Sequence, residues 1–199
     1  FELNPFHSIF RLAKNLTVKS NITFKKVQNS LGYTLALPSN LTVTGNLSLI
    51  NSYCEDIPSG LTVGGILITS GQKFTPDSSV KAENLRVYMV GGKIQGRIEV
   101  MNEAEITGMK CDGISGITAY KVDISLLSGP FTLSNSKTNE LKLSDLGGTI
   151  TLGPSIECKN ILISKVRRLE IESVPKISGN MEITRCDVHG TGGLVVQGN

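Results

Sequence analysis

The chain has 199 residues, a net charge of +3, 5% aromatic residues and no tryptophan. Its lysines and arginines are scattered, and Lys25-Lys26 and Arg167-Arg168 are the only adjacent pairs, which argues against a nucleic-acid stacking platform. No run of about 18 apolar residues and no basic-then-apolar leader occurs, so the sequence offers no transmembrane segment; it begins at Phe1, which suggests a processed or excised piece of a larger protein.

Asn4-Pro5 followed by Phe6, Ile9, Phe10, Ala13 and Leu16 reads as a helix start with one apolar face. We expect a short N-terminal capping helix over residues 5–14, covering the open end of the first coil of a repeat. Residues 1–36 then form a cap with irregular first coils, in which Leu16/Val18 and Ile22/Phe24 alternate. Four Asn-x-Thr/Ser triplets begin at Asn15, Asn21, Asn40 and Asn46. The repeat generates them through its own turn and strand chemistry, and that reading is preferred to glycosylation.

From Leu37 the organisation is plain. Leu37-Pro38-x-x-Leu41-x-Val43-x-Gly45-x-Leu47-x-Leu49 recurs 20 residues later as Ile57-Pro58-x-x-Leu61-x-Val63-x-Gly65-x-Leu67-x-Thr69. Period-two alternation within the unit means strand. A fixed period near 20 residues means a solenoid. The pair Leu47/Leu49 continues as Leu67/Thr69, Leu85/Val87, Ala104/Ile106, Val122/Ile124, Leu141/Leu143, Ile161/Ile163 and Met181/Ile183. A second series runs Leu61/Val63, Val80/Ala82, Ile98/Val100 and Ile117/Ala119, then Phe131/Leu133, Ile150/Leu152 and Leu169/Ile171. The slip between Ala119 and Phe131 suggests a rearranged corner near Ser128-Gly129-Pro130. The expected fold is all-β: a single-stranded parallel β-solenoid, a right-handed β-helix of about eight coils of 18–20 residues, spanning 37–199 as one continuous domain.

Outward positions test this register. Stacking coils about 4.8 Å apart sets Arg86 beside Glu105, Asp123 beside Lys142, and Lys121 between Glu103 and Glu140. Such pairs describe a solvated, self-compensating face. Outward columns turn apolar at Ile66, Ile68 and Leu162, and Tyr88 and Tyr120 are also expected to be exposed. These five are the candidate partner-binding surface.

The four cysteines, Cys54, Cys111, Cys158 and Cys186, are distant in sequence, and Cys54 and Cys111 share a column about 14 Å apart, beyond disulfide reach. No Cys-x-x-Cys spacing exists, so no zinc site is expected. Reduced, buried cysteines fit a reducing compartment.

Catalysis on a β-helix would need clustered carboxylates. The similarity to polygalacturonases is confined to Asp187-x-His189-Gly190, without the neighbouring Asp-Asp or a following Arg-x-Lys. Glu103, Glu105, Asp112 and Asp123 fall in adjacent coils, but Arg86, Lys110 and Lys121 neutralise part of that charge. No catalytic, cofactor or metal residues are assigned.

The unit over residues 37–69, including Ser59-Gly60-Leu61-Thr62-Val63-Gly64-Gly65, resembles the Leu-Pro-x-Gly-Leu-x-Val-Gly-Gly-x-Leu-x-Leu arrays of bacterial and phage solenoid proteins, some of them secreted effectors. After Phe74 only the apolar register persists. The resemblance implies a solenoid of bacterial or phage origin, which would make the reducing compartment the bacterial cytoplasm or a host cytosol after secretion, and transfers no site residues. The expected function is a non-catalytic protein-binding or scaffold module, the recognition or positioning part of a larger effector, whose partner is a host protein or a neighbouring domain. The alternatives are a carbohydrate-binding or polysaccharide-cleaving β-helix and a self-assembling, bactofilin-like filament subunit.

Overall fold

A computed structural model describes residues 10–11, 13–24, 35–50, 52, 54, 56–89, 92–108 and 110–190. Among these the chain is all-β, and every strand pairing is parallel and joins one coil to the next. No described helix is long and apolar enough to cross a membrane. Three columns of inward side chains define three faces around one core.

The first face stacks Val18, Val43, Val63, Ala82 and Val100. The second stacks Ile22, Leu47, Leu67, Leu85, Ala104, Val122, Leu141, Ile161 and Met181, which is the register that the alternation predicts. The third stacks Ile94, Ile114, Leu133, Leu152, Ile171 and Gly190. From Leu41 to Ile177 nearly every inward side chain is buried, with Phe74 and Phe131 among the largest. Each buried Val, Leu, Ile or Phe contributes roughly 1.5–3 kcal/mol, and this burial holds the coils together.

Two expectations are corrected. Of the helix expected over 5–14, residues 5–9 and 12 lie outside the described residues. Phe10–Arg11 is a strand paired in parallel with Leu35–Ala36. An isolated helix shorter than about 12–15 residues is marginal in water, whereas strand pairing gives this backbone a partner. The second apolar series is two columns, not one with a slip. Ala119 on the first face is followed by Thr138, Cys158 and Ile177. Phe131, Ile150 and Leu169 belong to the third face. The first face therefore continues through Ser136 and Thr138, which are buried polar residues and break the apolar pattern.

The Gly-x-Leu part of the repeat has a packing cause. Asn46 Oδ1 accepts the Ile66 amide hydrogen at 2.8 Å, and a Cβ at Gly65 would collide with that oxygen. The same arrangement joins Asn21 to Asn46 over Gly45 at 2.7 Å, and Asn160 to Asn180 over Gly179 at 3.0 Å. At another corner the Asn40 amide donates to Asn15 Oδ1 at 2.9 Å. All four triplet asparagines thus sit in inter-coil ladders.

The corner between the second and third faces is made by non-glycine residues in the left-handed region: Leu126 (φ 60), Asp145 (φ 54), Lys165 (φ 53) and Arg185 (φ 53). The flanking pairs Ser125↔Ser144, Ser144↔Ser164 and Ser164↔Thr184 stack these residues one above another.

Candidate functional site

The outward positions of the first two faces are a ladder of ion pairs. Arg86 meets Glu105 at 3.3 Å, Lys121 meets Glu103 at 2.6 Å, and Lys142 meets Asp123 at 2.8 Å. Glu140 is Lys121's register neighbour on the other side. On the first face Lys81 pairs with Glu99 at 3.2 Å, and Glu157 sits between Lys137 at 3.6 Å and Lys176 at 3.1 Å. The Glu103 hydrogen bond pushes the Lys121 ammonium pKa up. Lys176 and then Lys137 hold Glu157 below the usual carboxylate range. Arg97 and then Lys81 do the same for Glu99. Asp123 is mostly buried, with a side chain 15% exposed; the other groups are exposed to solvent, where water screens the attraction and each pair adds little stability. Their chemistry is charge compensation; a general acid of glycoside hydrolysis needs the opposite shift.

A recess of about 820 Å³ opens over the first face between Lys137, Asn139, Glu157, Lys159 and Val174–Ser178. Glu157 is the only carboxylate lining it, and it is already held by two lysines. His189 Nε2 lies 3.0 Å from Asp187 Oδ2 on the exposed strand Met181–Gly190. No group of three or more His, Cys, Asp or Glu residues among those described is arranged to hold a metal. Cys54, Cys111 and Cys158 are buried, Cys186 is partly buried, and none of the four is in a disulfide among the described residues. Burial pushes the Cys158 thiol pKa up to about 11 and also raises those of Cys111 and Cys186.

The five candidate contact residues do not form one patch. Ile66, Ile68 and Tyr88 are neighbours on the second face, Ile68 pairing with Arg86 and Ser70 with Tyr88. The two isoleucines are half-buried and Tyr88 is 39% exposed. Leu162 is in the same column but several coils away, between Lys142 and Glu182. Tyr120, 55% exposed, stands at the corner between the first and second faces.

There the structure adds a residue that the sequence reading missed. Met101 is 76% exposed, the most exposed large apolar side chain among those described. The pairing Ile98↔Ile117 places Met101 one coil before Tyr120 at the same corner. A sulfur-containing chain and an aromatic ring thus fall at one corner on successive coils, both exposed. Period-two alternation itself turns Met101 outward, directly after the inward Val100, so that signal could have found it.

No protein-family model, no curated protein and no solved structure matches this chain.

Proposed function

We propose that the chain is a non-catalytic protein-binding or scaffold module, the recognition or positioning part of a larger bacterial secreted effector acting in a reducing compartment. The observation that carries this reading is the Met101–Tyr120 edge: two large, exposed apolar side chains on adjacent coils of a solenoid whose neighbouring outward positions are charge-compensated. Adjacent exposed apolar groups mark contact sites more often than single ones. A parallel stack holds them with little ordering cost on binding. Ile66, Ile68 and Tyr88 extend the contact surface along the second face. The buried thiols support the compartment.

The test is capture from host-cell lysate with the wild-type chain and with Met101→Glu/Tyr120→Glu, both checked for equal thermal stability. A protein retained by the wild type and lost by the variant is the expected result. Equal retention by both removes this edge from the contact surface. Turnover or binding of an acidic polysaccharide such as polygalacturonate, unaffected by the variant, would instead favour the carbohydrate-active reading.

A further inference from the structure

Among the described residues, one corner stacks like charges on successive coils. The corner column Asp145, Lys165, Arg185 begins as elsewhere, with Lys165 bridging to Asp145 at 2.9 Å. The next coil then sets a cation on a cation. Ser164↔Thr184 and Val166↔Cys186 place Arg185 over Lys165. Arg167 lies two residues from Lys165, where the ladder with the following coil shifts register between Val166 and Leu169. Neither the Arg167 nor the Arg185 guanidinium makes a hydrogen bond or ion pair among the described residues. The nearby charges are already used: Arg168 pairs with Glu170 at 3.0 Å and Asp187 with His189 at 3.0 Å. Residues 191–199 carry no acidic side chain.

The two free guanidinium groups border a cleft of about 440 Å³. Gly147, without a side chain, also lines it, with the Lys165–Asp145 pair beside it. Stacked coils are about 4.8 Å apart, a spacing at which two guanidiniums can grip one tetrahedral oxyanion from neighbouring coils. Arginine's planar fork suits phosphate and sulfate oxygens.

We propose that this corner binds an oxyanion, a phosphate or sulfate ester carried by a partner molecule, clamped between Arg167 and Arg185. The site lies away from the Met101–Tyr120 edge, and its test does not depend on that surface.

The test is an amide NMR titration of the ¹⁵N-labelled chain with sodium phosphate and with sodium sulfate, at ionic strength held constant by sodium chloride. Saturable shifts confined to residues around 145–147, 165–167 and 185 are expected. Arg167→Gln/Arg185→Gln should weaken binding about tenfold or more, the loss of a charge-assisted hydrogen bond, and Arg167→Gln alone should weaken it less. Shifts that chloride reproduces, shifts spread over lysines along the whole chain, or binding that survives the double variant would overturn the proposal. A phosphoserine peptide and a sulfated disaccharide, compared as competitors, distinguish the two sources of the ester.

Discussion

Asn46 and Ile66 are joined across one coil: the Asn46 side-chain oxygen takes the Ile66 amide hydrogen at 2.8 Å while lying over the bare Cα of Gly65. Gly65→Ala sets a methyl group against that oxygen and should cost about 1–3 kcal/mol. Asn46→Ala removes the bond and should cost about 1 kcal/mol. In the Asn46→Ala background, Gly65→Ala should cost much less, because the obstructing atom is gone. A double-mutant cycle by urea denaturation reads this coupling directly, and additive losses would refute it.

Thr69 occupies an inward place in the column of Leu49 and Val87, fully buried, and its hydroxyl has no hydrogen-bond partner among the described residues. Replacing a buried, unpaired hydroxyl with a methyl group of the same shape removes a desolvation cost of about 1–3 kcal/mol. Thr69→Val should therefore stabilise the chain by about 1 kcal/mol or more. Thr138→Val should do the reverse, because Thr138 Oγ1 lies 3.0 Å from the Tyr120 carbonyl and 2.9 Å from that of Glu140. Melting temperatures moving in opposite directions would bear this out.

Leu126 holds a left-handed backbone (φ 60) with its side chain 64% exposed. That conformation costs an L-residue roughly 1–2 kcal/mol, partly offset in glycine by chain entropy. Little burial is lost by truncation here. Leu126→Gly should raise stability by up to about 1 kcal/mol, measured by chemical denaturation, whereas Leu127→Gly next to it empties a buried site and should cost about 3 kcal/mol or more.

Cys158 gives a pH dependence with a definite sign. The folded state keeps the thiol proton until about pH 11, because burial penalises the thiolate, whereas the free thiol releases it near 9.0. Between those values the unfolded chain binds fewer protons, so stability falls as pH rises through this window and is flat below it. Cys158→Val should flatten part of that decline. At pH 8 an alkylating reagent should label the partly buried Cys186 before the buried Cys158 and Cys111. Labelling of Cys158 at the Cys186 rate would contradict its burial.

The apolar register was legible because its signal repeats: one inward pair per coil, at steps of 18 to 20 residues, averages out accidents in any single coil. The charge ladder followed from the same register, and Arg86–Glu105, Lys121–Glu103 and Lys142–Asp123 lie where it put them. The first face was lost after Ala119 because Ser136 and Thr138 turn inward and are satisfied locally, Ser136 Oγ donating to the Ser134 carbonyl at 2.8 Å. Polarity is a poor guide to facing when a backbone carbonyl is within reach. The corners were illegible for another reason. Leu126, Asp145, Lys165 and Arg185 share one backbone conformation across apolar, acidic and basic side chains, so no residue type marks it. The unpaired arginines emerged only when the ladder could be checked coil by coil.

The ladder connects each coil only to the one before and the one after. Such a molecule behaves thermodynamically like a zipper rather than a droplet. Its ends should fray before its interior, and a break in one interface leaves both flanking stacks with their own cores. Excising one complete coil would rejoin like to like, with the asparagine, glycine and apolar columns still in line. The length of the stack can thus be altered by whole turns without redesign, while inserting a single residue within a strand would turn every side chain beyond it in that strand from core to solvent.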